Sequence, residues 1–164
     1  MLAIGDKVVY PMHGAGVIEA VEEHEVLGQR QEYYILTMPY GGMKVMIPMK
    51  NADSIGLREV IGEPDVPRVI DVLRTAPIQT NANWNRRFNV NLSKIKSGNI
   101  YEVAEVVRTL MLQDRGKKLS TGERRLLDTA KQILVSELVL VCNKDLSSVE
   151  LWIDDLLAES TTDN

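Results

Sequence analysis

The period of the hydrophobic pattern changes once along this chain, near Ile61-Gly62-Glu63-Pro64, and that change restricts the fold more than any other feature. Before it come short β-branched and aromatic runs: Lys7-Val8-Val9-Tyr10, Val17-Ile18-Glu19-Ala20-Val21, Tyr33-Tyr34-Ile35-Leu36-Thr37 and Met43-Lys44-Val45-Met46-Ile47. Between them stand Pro11-Met12-His13-Gly14-Ala15-Gly16, Leu27-Gly28-Gln29 and Tyr40-Gly41-Gly42, all with turn chemistry. Ser54-Ile55-Gly56-Leu57 reads as a last short strand. Strands this short and this evenly spaced predict a small antiparallel β-barrel or a highly bent sheet over residues 1–60.

After a linker at 61–64, the apolar residues recur at helical spacing. Asp65 caps a first helix carrying Val66, Val69, Ile70 and Leu73, with Pro67 tolerated in its first turn and Ala76-Pro77 ending it. The polar loop Gln79-Thr80-Asn81-Ala82 leads to a second helix, which Gly98 closes. Asn99 with Glu102, Ser120 with Glu123, and Ser147 with Glu150 look like capping boxes opening three more. Residues 65–160 therefore predict an all-α five-helix bundle, followed by a tail at 161–164.

The second helix opens with Asn83-Trp84-Asn85-Arg86-Arg87-Phe88, and from Asn83 to Gly98 every charged side chain is basic. Guanidinium groups beside a flat apolar ring suit nucleic acid, the cations meeting phosphates and the ring meeting stacked bases. Trp84 also falls close to the stripe of Phe88, Leu92 and Ile95, so a place in the helical core fits the same local pattern.

Charge bears on the choice. A net charge of −4 is wrong for a free-standing DNA binder of high affinity. The charge is uneven, however: residues 108–125 hold Arg108, Arg115, Lys117, Lys118, Arg124 and Arg125 against Asp114 and Glu123, while from Asp145 onward there are acids and no bases. Any nucleic-acid surface is therefore local and needs a second contact to hold it in place. The single cysteine, Cys142, lies in an apolar run and reads as a small buried hydrophobe. No apolar run spans a bilayer and no signal-peptide pattern opens the chain, which points to a reducing cytoplasm and no membrane partner.

Catalytic chemistry finds no footing. His13 and His24 have no metal-ligand spacing around them, and Gly14-Ala15-Gly16 is too short for a phosphate cradle. Asp154-Asp155 reads as a solvated helix end. The expectation is no enzyme, no cofactor and no metal. Met38, Met43, Met46 and Met49 cluster around one turn, as core filling or as an adaptable partner edge.

Several separated segments resemble the CarD/CdnL family of bacterial transcription regulators. They are Val9-Tyr10-Pro11-Met12-His13-Gly14-Ala15-Gly16, the Trp84 segment, Glu102-Val103-Ala104-Glu105-Val106-Val107-Arg108-Thr109-Leu110, Leu119-Ser120-Thr121-Gly122-Glu123-Arg124-Arg125 and Ala130-Lys131-Gln132-Ile133-Leu134. The resemblance implies a Tudor-like (SH3-like) N-terminal domain, similar to the polymerase-interacting module of the transcription-repair coupling factor, that docks on the RNA polymerase β subunit. It implies a helical domain that reaches promoter DNA at the upstream edge of the melted bubble. There the residue matched by Trp84 wedges into the minor groove and hinders bubble collapse, commonly at ribosomal RNA promoters. Arg86 and Arg124 match DNA-facing basic positions, with Arg87 beside them.

Two departures from the family stand out. By the resemblance, His24 and Met46 align with positions that face polymerase and carry arginine in some members, with Lys44 nearby, and Asn89 aligns with a position that is basic in some members. The expectation is a cytoplasmic monomer, nucleoid-associated through polymerase. An adaptor whose helical domain binds protein instead of DNA is the alternative, and it would bury the Trp84 ring.

Overall fold

Positive backbone angles at Met12 (φ 72°) and Gly14 (φ 118°) turn the chain between its first two strands. The computed structural model describes residues 2–77 and 83–159. Its strands are β1 (Lys7–Tyr10), β2 (Gly14–Val26), β3 (Gln29–Thr37), β4 (Lys44–Pro48) and β5 (Arg58–Glu59). They form one antiparallel sheet in the order β4-β3-β2-β1-β5. Leu27 (φ 53°) and Gly28 (φ 78°) close the β2–β3 hairpin with the two successive positive angles of a type I′ turn.

The sheet is open, which corrects the expected barrel. Its two outer strands, β4 and β5, do not pair with each other. β5 is only two residues long, and one end of the sheet's core is covered instead by Leu2, Met49, Ile55 and Leu57 packing on Val8, Ile18, Leu36 and Ile47. The expected strand at 54–57 is a turn. The backbone N–H groups of Ile55, Gly56 and Leu57 donate to Asn51, Asp53 and Ala52, which leaves no ladder to extend. In β2 the register shifts between Ile18 and Ala20, so Glu19 is a bulge residue and the strand bends there. β4 covers β3 only from Tyr33 to Thr37; beyond that β2 and β3 run on as a two-stranded ribbon with Leu27 fully exposed at its tip.

Five α-helices follow among the described residues: α1 (Val66–Thr75), α2 (Trp84–Lys96), α3 (Ile100–Gly116), α4 (Thr121–Cys142) and α5 (Leu146–Glu159). Their apolar stripes meet in one core that includes Val69, Ile95, Leu110, Leu134, Leu138 and Ile153. Asn99 and Ser120 both cap, Asn99 accepting from Tyr101 and Glu102, and Ser120 from Glu123; the box closes reciprocally at Ser120 and Glu123, whereas the Asn99 N–H donates to Ser97 Oγ (3.1 Å) and not to Glu102. Two caps differ. The Asp65 carboxylate turns back to the Gly62 N–H (3.3 Å), closing a 3-10 turn instead of capping α1. α5 begins at Leu146, ahead of the predicted Ser147 box, and Asp145 takes the cap, its carboxylate accepting from the Ser148 backbone N–H as well as from the Ser148 hydroxyl. The loop at 79–82 and the tail at 161–164 lie outside the described residues.

The segment read as a linker at 61–64 is anchored at Ile61. Ile61 packs on the helical core and its N–H donates to Glu137 Oε2 (2.9 Å). Around it α4 is riveted to the sheet. The Ala15 N–H donates to Ser136 Oγ (2.8 Å), Gln132 Nε2 to the His13 carbonyl (2.8 Å) and Lys7 Nζ to the Leu140 carbonyl (3.0 Å). Gly14 is required at this seam, because a Cβ there would sit 2.8 Å from Ser136 Oγ. The glycine-rich turn therefore belongs to the joint between sheet and bundle.

Candidate nucleic-acid interface

Asn83 sets the start of α2, its side chain accepting the Arg86 N–H (3.2 Å) as an N-cap. The cap places Trp84 in the first turn, where one face of the ring is open. Trp84 is 41% exposed, with its other face stacked on Phe88 at 5.0 Å between ring centres and 20° between planes. Its indole N–H donates to Ser120 Oγ (3.1 Å). The ring thus lies between the N-termini of α2 and α4, neither in the core nor free in solvent.

Arg86 is exposed, and its guanidinium has no hydrogen-bond partner among the described residues. Arg87 is differently placed: its Nε donates to Glu123 Oε2 (3.0 Å), and its side chain is only 18% exposed. Burial pushes the Glu123 carboxyl up, but hydrogen bonds from Arg87, Gln113 and Ser120 more than offset it and leave it below the ordinary range. Arg87 is thus a strut between α2 and α4. Arg124 is about half exposed and donates to Asp114 Oδ1 (2.8 Å). Arg115, Lys117, Lys118 and Arg125 are exposed around the same turn, whereas Lys94 is paired with Glu105 (2.6 Å). Arg108 drops out of the basic surface: it is buried and donates to the Ala76 and Leu73 carbonyls, tying down the end of α1. Asn89 is exposed on α2.

His24, Lys44 and Met46 come together on a different surface. The ladder sets Ala20 opposite Ile35, His24 opposite Gln31, and Ile35 opposite Met46. With side chains alternating, His24, Tyr33, Ile35, Lys44 and Met46 share the sheet face turned away from Tyr34, Leu36 and Ile47. Met46 is exposed on the edge strand, and His24 lies edge-on to Tyr33 (5.8 Å) and 2.8 Å from Glu22 Oε1. Lys44 sits 3.2 Å from Glu19, the bulge residue, whose carboxyl the Thr37 hydroxyl and then Lys44 hold below its usual range.

Phe88, Ser120, Gly122 and Glu123 belong to the Trp84 site, and sequence reasoning did not assign them to it. The capping box marks Ser120 and Glu123 as helix-start residues, but nothing local signals a bond across 36 positions. Among the described residues no helix is long and apolar enough to cross a membrane, and no group of His, Cys, Asp and Glu is placed to hold a metal ion.

Residues 2–61 match the family described as CarD-like/TRCF RID domain, and residues 68–154 match CarD, C-terminal domain. The protein named "Putative transcription factor YdeB" in Bacillus subtilis (strain 168) is 40% identical over 141 residues, covering 86% of this chain and 92% of that protein. The solution NMR structure of the 72-residue N-terminal domain of Myxococcus xanthus CarD is 36% identical, covering 36% of this chain and 79% of that one, with a TM-score of 0.32. Two family matches that together span both the sheet and the bundle, and a relative matched over nearly its whole length, give the assignment: this chain belongs to the CarD family.

Proposed function

We propose that this protein is a non-enzymatic transcription regulator that binds RNA polymerase through its sheet and stabilises the promoter open complex with Trp84. The polymerase contact is the β subunit, met by the face of His24, Lys44 and Met46 and by the unpaired edge of β4. An exposed edge strand offers main-chain hydrogen bonds to a partner strand. Trp84 then enters the minor groove at the upstream edge of the bubble, with Arg86 as the leading phosphate contact and Arg124 next to it. Arg87 contributes from behind, holding α2 to α4. Ribosomal RNA promoters, whose open complexes need such support, are natural targets.

The observation that carries this reading is the exposed ring of Trp84 beside an unpartnered Arg86 guanidinium, on a rigid base, in a chain of net charge −4. An acidic protein binds bare DNA poorly, because phosphate neutralisation dominates non-specific affinity. Tethered to polymerase, the same local cations meet DNA at an effective concentration of about a millimolar. An adaptor that used this helix end for protein would more naturally bury the ring. The test measures open-complex half-life with wild type and Trp84→Ala at saturating protein, beside binding to the isolated β subunit. A shorter half-life with unchanged β binding is expected; equal half-lives refute the wedge.

A further inference from the structure

The Ser120 hydroxyl has its full complement of partners. Its Oγ accepts the Glu123 N–H (3.2 Å) and the Trp84 indole N–H (3.1 Å), and it donates to Glu123 Oε1 (3.2 Å). One hydroxyl has two lone pairs and one proton, so no capacity is left over and the group cannot rotate without breaking a bond. Glu123 is itself fixed, 2% exposed and held by Arg87 and Gln113. A continuous chain of hydrogen bonds thus runs from Arg87 through Glu123 and Ser120 to the edge of the indole.

The underside of the ring is shaped as closely. Gly122 lies within α4, in backbone that any residue adopts, so conformation does not require glycine there. Space is tight instead: a Cβ at Gly122 would come 3.2 Å from Phe88 Cε2, so that ring would have to give by a few tenths of an ångström, and would meet Trp84 Cζ2 at an ordinary 3.6 Å. The start of α4 therefore supplies both a hydrogen-bond acceptor for the indole edge and a gap that seats the Trp84–Phe88 stack.

We infer that Ser120 and Gly122 are positioning residues for Trp84, clamping the ring in one orientation before any DNA is met. An exposed indole with no such clamp samples several rotamers, and ordering it on insertion opposes binding; fixing it beforehand removes that cost. The Trp84 side chain is 41% exposed and its N–H is nonetheless turned onto Ser120 Oγ. The bond therefore sets direction. The consequence for promoters rests on the wedge reading of Trp84, whereas the clamp itself is a property of the free protein.

The full chain carrying Trp152→Phe has a single indole, so its N–H signal in a nitrogen-15 NMR spectrum reports Trp84 alone. Ser120→Ala is expected to shift that signal upfield and to speed its exchange with water by about threefold to tenfold, the population change for one modest hydrogen bond. The open-complex half-life should shorten by a similar factor, and Ser120→Thr, which keeps the hydroxyl, should restore both. Gly122→Ala provides an arm free of the cap. Alanine is favoured over glycine in a helix, so the melting temperature should hold or rise while fluorescence anisotropy of the single indole changes and the half-life falls. An indole signal unmoved by Ser120→Ala overturns the clamp, as does a Gly122→Ala protein with unchanged anisotropy and half-life. If Ser120→Ala loosens the indole but leaves the half-life alone while Trp84→Ala shortens it, the wedge stands and the positioning role falls. If Trp84→Ala itself leaves the half-life alone, the wedge falls, and the NMR and anisotropy results alone judge the clamp.

Discussion

Arg58 and Glu137, 79 positions apart, close a two-pronged ion pair across the seam between sheet and bundle, with Nη1 2.9 Å from Oε2 and Nη2 2.7 Å from Oε1. Glu137 is 0% exposed and Arg58 also donates to the Gly98 carbonyl. Removing one partner strands a charge. Glu137→Ala or Arg58→Ala should therefore cost about 3 kcal/mol, the low end for a buried pair because the Arg58 side chain is 30% exposed. Chemical denaturation measures it, beside the double variant Arg58→Met with Glu137→Leu. The double should recover much of the loss, since an apolar pair strands nothing; singles costing under about 1 kcal/mol contradict the account.

For Trp84→Ala the half-exposed ring changes the expected size of the stability effect. A fully buried aromatic costs about 3–5 kcal/mol on truncation. Here the losses are one stacked face and one exposed hydrogen bond, so about 1–2 kcal/mol is expected. Thermal unfolding beside open-complex half-life separates a structural ring from a functional one. A melting-temperature collapse with loss of β binding points to structure.

Acid should loosen the same corner of the molecule. Glu123 and Asp114 titrate below their unstrained values of 4.5 and 3.8 in the folded chain, Asp114 chiefly through its hydrogen bond from Arg124. Between the unfolded and folded values the unfolded chain binds more protons, so the stability these groups contribute is complete above about pH 4.5 and drains as pH falls through the folded values. Melting temperature followed from about pH 6 to pH 3 should fall, with part of the slope removed in Glu123→Gln. An identical slope in that variant counts against it.

Met46 tests the other surface. It is 46% exposed, so Met46→Arg should change stability by no more than about 0.5 kcal/mol. Affinity for the β subunit should change, and His24→Glu should weaken it modestly, since a rim charge is worth little. Titration of the isolated β subunit reads both. Equal affinities for wild type and Met46→Arg remove this face from the polymerase contact.

Local chemistry made much of this legible. The Ser120-Thr121-Gly122-Glu123 box and the apolar stripes placed α4 and its neighbours, because capping and helical period are written within a few residues. What escaped depends on partners far along the chain. Whether the sheet closes is decided by its two outermost strands; the turn at 54–57 is the local exception, its N–H groups donating to carbonyls at Asn51, Ala52 and Asp53 only a few residues back. Glu137 carried a faint signal, a carboxylate inside the run Val135-Ser136-Glu137-Leu138, but its partner Arg58 sits in another module. Arg87 and Arg124 read as free cations, and only the folded chain sets Glu123 and Asp114 beside them.

The 22 residues of α4 act as a gauge. Its first turn carries the seat of Trp84, and its middle is riveted to the sheet at Gln132, Ser136 and Glu137. From Ser120 to Ser136 the helix rises about 24 Å, a length fixed by backbone hydrogen bonds and not by any hinge. Whatever the sheet grips, the indole is presented at that offset. Inserting one residue between these anchors would swing the ring about 100° around the axis and lengthen the reach by about 1.5 Å. Inserting four would leave it about 40° past its original heading and about 6 Å further out. The phase of the helix, more than its length, therefore sets which way the ring faces.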